Sequence, residues 1–387
     1  MKALQIDKRL GRIGLARVLS AVAPTTAAKA GPLTLIRTDP PELPGPDWVR
    51  LKPRLSGICG SDLATVQGQA GTYFDAIVSF PFTLGHELVA DTIPGGASSA
   101  GGLSRRVALI PVLHCAVRGI SPVCTACATG DINRCERVAF GHIKPGLQTG
   151  YCCETGGGWS EGLVAHPLQL VDVPDDLGDD DAVMIEPTAC ATRAARAYAG
   201  GSVAIIGAGT VGLLTVAAII GSGREAGHPP LVAAKYSAQK RTAIELGATV
   251  CTPGELPRMV RSQQHSLVAG DQLTGGVAQV FDCVGSSQSL QQALSVVAPG
   301  GEIVLVGMPS TVNVDLTGLW HREVRITGCY AYNRADFDTA IELVRRFRLG
   351  RLVSATYRLD EYDTAIAHAA NAGPRDAIKI AFDMRDV

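Results

Sequence analysis

Three short motifs, far apart in the chain, carry side chains that bind metal ions. Cys59 lies in the run GICGSD, His86 in GHE and Glu186 in IEPTACA. Taken singly, a cysteine or a histidine of this kind is more often an ordinary core residue. Together they supply a thiolate, an imidazole and a carboxylate, a set that suits a four-coordinate zinc with one position left for water or a substrate oxygen. The sequence therefore predicts a catalytic metal site.

Cysteine is concentrated in one stretch of the chain. Six of the eleven cysteines fall between Cys115 and Cys153. An odd number of cysteines in a large chain favours reduced thiols that hold metal over a disulfide framework. The N-terminal residues show no apolar run followed by a small-residue cleavage site. We therefore expect a cytoplasmic protein.

A glycine-rich turn predicts a dinucleotide site. Gly207, Gly209 and Gly212 form a GxGxxG pattern, with Thr210 and Val211 inside it, between the strand-like VAII and the helix-like LLTVAAII. The first glycine permits the turn, the second lets the backbone approach a pyrophosphate, and the third lets helix and strand pack closely. The helix N-terminus then faces the phosphate charge.

The end of the next predicted strand carries a basic residue. NAD sites usually have Asp or Glu there to accept the ribose hydroxyls, but this chain has Lys235, with Lys240 and Arg241 soon after it. A lysine accepts no hydrogen bond but can pair with a 2′-phosphate. We therefore predict a preference for NADP(H) over NAD(H). The alternative is a solvated basic start to a helix.

The elements that position these motifs fall into three stretches. Residues 1–174 have short β-like runs broken by Gly and Pro, and long helical periodicities are missing. Residues 175–328 alternate apolar strands with helix-like segments, which predicts an α/β domain with a doubly wound parallel sheet. Residues 329–387 return to mixed character. The uncharged stretch 203–223 is long enough for a membrane span, but its glycines favour a buried strand–turn–helix.

The composition limits the partners. Hydrophobic residues make up 46% of the chain and charged residues 18%, so a packed core is expected and disorder is not. The formal net charge is -1. That balance provides no overall field to attract nucleic acid or an anionic membrane.

The motifs resemble those of one family when they are taken in order. GICGSD, GHE, the cysteine-rich stretch, the EP motif, GAGTVG, FDCVG and VLVGMP occur in the order typical of zinc-dependent medium-chain dehydrogenases/reductases. These belong to the alcohol dehydrogenase superfamily, and the polyol and threonine dehydrogenase branch is the most similar. The resemblance implies a β-rich, GroES-like catalytic domain, built from both ends of the chain, beside a Rossmann dinucleotide domain.

By the same resemblance, Cys59 and His86 bind a catalytic zinc. Glu186 stands where the polyol branch has a carboxylate that binds the metal directly or through water. Glu87 would coordinate transiently or support the site, and Asp62 would hydrogen-bond the free nitrogen of His86.

The resemblance also implies a route for protons. Ser61 stands where the family places a hydroxyl that takes the proton of the alcohol. Some relatives continue that relay through a histidine, whose position here is Ala64. The proton would then leave by the cofactor ribose, water or another side chain.

A structural zinc is implied as well. Cys124, Cys127 and Cys135 match the last three ligands of the family's zinc-binding lobe, and Ser121 stands where the first ligand is usual. Cys115 lies earlier and would complete the set through a longer loop. The alternative is a metal-free lobe with reduced thiols.

Function follows from the same resemblance. The expected reaction interconverts a small-molecule alcohol or polyol and its ketone or aldehyde, in a homodimer or homotetramer. Val284 and Val306 would line the nicotinamide pocket or simply pack in the core, and Tyr332 likewise would reach the substrate cleft or the core. Two other functions stay open: a zinc-free reductase of activated double bonds, and a non-catalytic dinucleotide-binding regulatory protein.

Overall fold

A computed structural model describes residues 1–20, 30–94, 104–225, 227–269, 272–308 and 311–385. The chain divides into two compact units. The first unit contains Met1–Glu186, Tyr332–Ala372 and Lys379–Val387, and the second contains Pro187–Ala331 and Gly373–Ile378.

The described residues form eighteen strands and twelve α-helices. The strands are β1 Lys2–Ile6, β2 Leu33–Arg37, β3 Val49–Gly57, β4 Phe82–Thr83, β5 Leu88–Thr92, β6 Arg106–Leu109, β7 Leu163–Ala165, β8 Leu170–Asp172, β9 Val203–Ile206, β10 Leu231–Ala233, β11 Thr249–Cys251, β12 Val268–Ala269, β13 Gln272–Leu273, β14 Val277–Asp282, β15 Val297–Leu305, β16 Arg325–Gly328, β17 Val353–Tyr357 and β18 Lys379–Asp383. The helices are α1 Leu10–Ser20, α2 Gly60–Val66, α3 Thr125–Ala128, α4 Asp179–Ala182, α5 Ile185–Ala195, α6 Thr210–Gly221, α7 Ser237–Glu245, α8 Leu256–Gln264, α9 Ser287–Val296, α10 Thr317–His321, α11 Arg334–Phe347 and α12 Tyr362–Ala370.

The second unit is built on a six-stranded sheet in the order β11-β10-β9-β14-β15-β16. Every pairing in this sheet is parallel. The order reverses at β9, which is the strand order of a doubly wound dinucleotide-binding domain. Leu231, Val280 and Ile303 belong to its buried core. The predicted α/β class and parallel sheet are confirmed.

The first unit holds a seven-stranded sheet and a three-stranded one. The larger sheet runs β17-β18-β3-β5-β6-β8, with β7 also paired to β3, and the smaller runs β2-β1-β4. Leu51, Leu88 and Val107 contribute to a buried aliphatic core. Because β3 and β5 are central neighbours, the residues that follow β3 and precede β5 lie close together.

One helix in the first unit departs from the expectation of a purely β-like N-terminal stretch. Helix α1 spans Leu10–Ser20. Gly11 and Gly14 interrupt its apolar repeat, which hides the helical period in the sequence.

The first boundary between the two units lies later in the chain than the sequence composition predicted. The predicted change after residue 174 precedes α4, which lies in the first unit, and the observed change follows Glu186. The second change follows Ala331, close to the predicted end at residue 328. None of the helices in the described parts of the chain is long and apolar enough to cross a bilayer, stretch 203–223 included.

Candidate metal centres and cofactor site

Cys59, His86 and Glu87 form a mixed-donor cluster in the first unit. The sulfur, a ring nitrogen and a carboxylate oxygen all lie within 4.8 Å of one another. Cys59 follows strand β3 and caps α2, and His86 and Glu87 immediately precede β5. The pairing of β3 with β5 therefore assembles residues that are distant in sequence.

Asp62 supports two members of this cluster. Its side chain is fully buried. Oδ2 accepts a hydrogen bond from the Cys59 amide at 3.0 Å, and Oδ1 lies 3.3 Å from His86 Nδ1. A carboxylate beside one ring nitrogen favours a proton there and leaves the other nitrogen for a metal.

The electrostatics of the cluster favour a cation. Burial opposes protonation of His86, but Asp62 and then Cys59 outweigh it and raise the pKa of the imidazole well above its ordinary value. A buried site that stabilises positive charge against desolvation is a site where a metal ion would be stabilised.

Lys379 is a member of this site that carried no motif in the sequence. Its side chain is 2% exposed, and its Nζ contacts Glu87 Oε2 and donates to the Ile58 carbonyl at 3.1 Å. Gly57 makes the approach feasible, because a Cβ there would lie 2.3 Å from Glu87 Oε2. The one available signal was a lysine inside the apolar strand AIKIAFDM.

Glu186 lies beside the cluster without joining the three-residue group. It is buried, and its Oε1 accepts a hydrogen bond of 2.5 Å from the Tyr332 hydroxyl. Burial, reinforced by Glu87, raises the pKa of Glu186 to about 7, although His86 acts in the opposite direction. Among the described residues, Glu87 is the carboxylate grouped with Cys59 and His86.

The residues present fit a zinc ion. Thiolate, imidazole and carboxylate are zinc donors, and here their donor atoms lie within 4.8 Å of one another. Bound there, zinc would act as a Lewis acid toward a substrate oxygen.

Ser61 lies on α2 next to Asp62. A second hydroxyl follows on the same helix, where Thr65 Oγ1 lies 3.2 Å from the Tyr151 hydroxyl. Tyr151 is buried, and its hydroxyl also lies 3.5 Å from Asp62 Oδ1. No sequence pattern marked Tyr151.

The second cluster in this unit consists of four thiols. The sulfurs of Cys115, Cys124, Cys127 and Cys135 all lie within 4.8 Å of one another. Cys115 and Cys135 are 3.6 Å apart, close to the roughly 3.8 Å expected between two sulfurs of a tetrahedral zinc with 2.3 Å bonds. The Glu136 and Arg137 amides lie 3.5 and 3.4 Å from the sulfurs of Cys124 and Cys135.

The surroundings shift the pKa values of three of these thiols. Burial raises the pKa values of Cys127 and Cys135, whereas backbone amides help to lower the pKa of Cys124 to about 7. The four sulfurs therefore fit a closed zinc site, and all eleven cysteines of the chain are free of disulfides.

Arg118 organises the loop that carries these thiols. The residue is fully buried, and its guanidinium donates to the carbonyls of five residues. These are Leu113, Phe140, Ile143, Lys144 and Gly146. Burial lowers the pKa of Arg118. No sequence pattern indicated this role.

In the second unit, the glycine pattern forms the turn between β9 and α6. Gly207 has φ +91°, and a Cβ there would lie 2.4 Å from Val284 Cγ2. A Cβ on Gly212 would lie 1.9 Å from the Gly207 carbonyl oxygen. Gly209, the N-cap of α6, has open space where its Cβ would be. This cradle fits a pyrophosphate at the helix N-terminus.

Of the remaining predicted cofactor residues, Val284, Val306 and Lys235 follow strands of the same sheet, and Lys240 and Arg241 lie on α7. Val284 is 47% exposed, and the Val306 amide donates to the Asp282 carbonyl at 2.9 Å. Lys235 is exposed two residues after the end of β10, and Arg241 Nη2 lies 3.3 Å from Asp376 Oδ2. Lys240 lies within electrostatic range of Glu255.

Comparison with known families explains both units. Residues 45–175 match the family model described as "Alcohol dehydrogenase GroES-like domain", and residues 201–346 match "Zinc-binding dehydrogenase". The chain belongs to the zinc-dependent medium-chain dehydrogenases. Relatives of this chain carry the names of dehydrogenases. The chain is therefore an oxidoreductase of the alcohol dehydrogenase type.

Individual relatives cover most of the dehydrogenase. It is 29% identical over 355 residues to "L-idonate 5-dehydrogenase" of Vitis vinifera, covering 88% of this chain and 89% of that one. It is 28% identical to "Sorbitol dehydrogenase" of Bacillus subtilis, covering 84% and 86%. The crystal structure of 2R,3R-butanediol dehydrogenase from Bacillus subtilis has a TM-score of 0.73 at 20% identity, covering 99% of each chain. That last similarity concerns the fold.

Proposed function

We propose that this dehydrogenase interconverts a secondary alcohol of a polyhydroxylated small molecule and the matching ketone, with zinc and NADP(H). The observation that carries the reaction is the cluster of the half-buried Cys59 with the buried His86 and Glu87. The names of the relatives, which denote idonate, sorbitol and xylulose as substrates, support a polyhydroxylated compound.

Each residue of the cluster has a part in this proposal. Cys59, His86 and Glu87 hold the metal, and Glu186 reaches it through water or on a change of rotamer. Asp62 keeps His86 in the tautomer that binds metal. Ser61 accepts the proton of the substrate hydroxyl, and no histidine follows it at Ala64, so that proton passes to water or the cofactor ribose.

Zinc analysis with a substrate panel tests the reaction. We expect about two zinc ions per subunit, one in each cluster, and NADP-dependent oxidation of polyols followed by the absorbance of the reduced cofactor. Removing the zinc of the mixed-donor cluster should abolish this activity, and adding zinc should restore it. Full activity without that zinc would favour the zinc-free double-bond reductase, and cofactor binding without turnover would favour a regulatory protein.

The cofactor preference rests on Lys235. It is an exposed cation at the end of β10, where NAD sites usually carry a carboxylate. Lys240 and Arg241 on the following helix would add positive charge. The glycines 207, 209 and 212, with Thr210 and Val211, would hold the pyrophosphate, and Val284 and Val306 would line the nicotinamide pocket.

Lys235→Asp tests this preference. We expect the ratio of kcat/KM for NADP to that for NAD to fall on the order of tenfold, because a charge-assisted contact to the phosphate is replaced by repulsion. The same change at the exposed Lys52 is the control. An unchanged ratio would contradict the assignment.

The cysteine lobe, the assembly state and the location complete the proposal. Cys115, Cys124, Cys127 and Cys135 would hold a structural zinc. The edge strand β16 and the 79% exposed Trp320 offer a surface for a homodimer or homotetramer, which light scattering would detect. The eleven free thiols support a cytoplasmic location.

A further inference from the structure

A short C-terminal segment, Gly373–Ile378, belongs to the second unit and lies against its cofactor-binding loops. At Gly373 an added Cβ would lie 2.2 Å from the Tyr236 ring. At the other end, the Ile378 carbonyl accepts a hydrogen bond of 3.2 Å from Thr210 Oγ1, at the start of α6. The segment is therefore held between the N-termini of α6 and α7.

Between these two ends, Asp376 caps helix α7 from outside the helix. Its Oδ1 accepts a hydrogen bond of 2.7 Å from the amide of Ala238, the second residue of α7. The N-cap residue of that helix, Tyr236, provides no side-chain cap. A carboxylate at this position satisfies a helix-terminal amide and interacts favourably with the helix dipole.

The second carboxylate oxygen of Asp376 contacts a cofactor candidate. Oδ2 lies 3.3 Å from Arg241 Nη2, and both side chains are about half exposed. Asp376 has φ +55°, a left-handed conformation that Asp and Asn adopt more readily than most residues. The backbone conformation thus presents the carboxylate to the amide and the guanidinium together.

These two donors are groups that an anion would use. The ribose 2′ position lies at the end of the second strand of such a domain, which here is β10, three residues before α7 begins. A helix N-terminal amide and an arginine are typical phosphate ligands. Asp376 already engages both with a negative charge.

We propose that Asp376 determines cofactor specificity by competing with the 2′-phosphate for Arg241 and the N-terminus of α7. This inference rests on the proposed NADP(H) site. The tethered carboxylate lowers the affinity for the 2′-phosphate, so that the preference set by Lys235 is weaker than the basic residues alone would produce.

Binding of two adenosine fragments to the full-length protein tests the proposal. Isothermal titration calorimetry with adenosine 2′,5′-bisphosphate and with 5′-AMP isolates the 2′-phosphate without turnover. In Asp376→Asn, which keeps an acceptor and tolerates the left-handed backbone, we expect Kd for the bisphosphate to fall about fivefold because a like charge is removed. Kd for 5′-AMP should stay within about twofold.

Controls separate this effect from a general loss of negative charge. Asp315 in the same unit also accepts a hydrogen bond from a helix-terminal amide, that of Thr317 at 2.8 Å. Asp315→Asn should therefore leave the ratio of the two dissociation constants unchanged. Arg241→Gln should weaken bisphosphate binding more in the Asp376→Asn background than in the wild type, because only there is Arg241 released.

The outcomes distinguish this inference from the proposal on which it rests. If Lys235→Asp weakens bisphosphate binding and Asp376→Asn leaves the ratio unchanged or lowers affinity for the bisphosphate, the role of Asp376 is wrong and the NADP(H) site stands. If Lys235→Asp also has no effect, the NADP(H) site itself is wrong. Should Asp376→Asn fold poorly by thermal unfolding, Asp376→Gly takes its place, because it also removes the charge and suits the left-handed backbone. An unchanged ratio of the two dissociation constants in that variant would overturn the role of Asp376.

Discussion

The first unit contains two clusters of metal-binding side chains that differ in what surrounds them. The mixed-donor cluster of Cys59, His86 and Glu87 is bordered by ionisable side chains, among them Asp62 and Lys379. The cysteine lobe has four like donors. Its sulfurs face backbone amides, and its loop is gathered around one buried guanidinium.

The difference indicates different tasks. Four thiolates complete a tetrahedral zinc and leave no position for a substrate, whereas three donors of different kinds leave one open. Burial opposes protonation of His86, and its charged neighbours overcome that effect and raise its pKa. Burial, with a contribution from Glu87, raises the pKa of the adjacent Glu186. Backbone amides and carbonyls instead fix the lobe in place. Under the proposed function, the mixed-donor cluster carries the reactivity and the cysteine lobe provides rigidity.

The largest effect should come from breaking the mixed-donor cluster. In Cys59→Ala we expect kcat/KM to fall more than about 1000-fold, because zinc-dependent polarisation of the substrate is lost with the metal. Metal analysis should show about one zinc lost per subunit, with the circular dichroism spectrum unchanged. Cys190→Ala, a half-buried cysteine outside both clusters, is the control, and retention of activity in Cys59→Ala would contradict the assignment.

The buried ion pair beside that cluster should contribute the next largest effect. In protein from which zinc has been removed, Lys379→Met leaves the Glu87 carboxylate buried without a cation, and the free energy of unfolding should fall by about 3 kcal/mol in urea titrations. Glu87→Gln combined with Lys379→Met should be less destabilised than Lys379→Met alone. Equal destabilisation in the two variants would mean that the two charges do not depend on each other.

A ligand deletion in the cysteine lobe should affect stability more than chemistry. Cys115→Ser should lose about one zinc per subunit and on the order of 2 kcal/mol of unfolding free energy, since structural zinc contributes to folding. The kcat of the folded fraction should stay within about threefold of wild type. Cys153→Ser is the matched control. Two zinc ions retained in Cys115→Ser would remove Cys115 from the ligand set.

The smallest effect concerns acid sensitivity next to the lobe. Burial, with a contribution from His166, lowers the pKa of His114 to about 4, against 6.5 when unfolded. The unfolded chain therefore takes up a proton first, and stability present above pH 6.5 is lost as the pH falls toward 4. Between pH 7 and 5.5 the loss should be about 1 kcal/mol.

Comparison of variants isolates that contribution. Urea titrations of His114→Leu should show a smaller loss over this pH range than wild type, and His321→Leu, at an exposed site, should not. An identical pH dependence in wild type and His114→Leu would show that other groups cause the acid sensitivity.

The sequence alone predicted the features of the fold and the site that depend on local spacing of residues. The βα alternation and the GxGxxG turn predicted the parallel sheet because strand, turn and helix follow one another along the chain. The motifs around Cys59 and His86 marked a metal site because, together with a carboxylate, they supply the set of donors that zinc prefers. Long-range pairings were less accessible.

Lys379 and Asp376 show why. Lys379 contacts Glu87, almost 300 residues earlier in the chain, and Asp376 contacts Arg241, about 135 residues earlier. No local sequence pattern around Lys379 or Asp376 identifies its partner. The sequence predicted Glu186 as the carboxylate donor to the metal, whereas the structure groups Glu87 with the thiol of Cys59 and the imidazole of His86. Glu87 reaches the donors because it immediately precedes β5, which pairs with β3, whereas Glu186 lies on helix α5.

The position of Arg118 restricts which changes of sequence and length the cysteine lobe can accommodate. One planar group with five N–H donors serves carbonyls on both sides of the thiol-bearing stretch, from Leu113 to Gly146. A lysine, with three donors on a flexible stem, could not replace it. Insertions or deletions between those two ends would misplace several acceptors at once, so the loop should tolerate changes of side chain far better than changes of length.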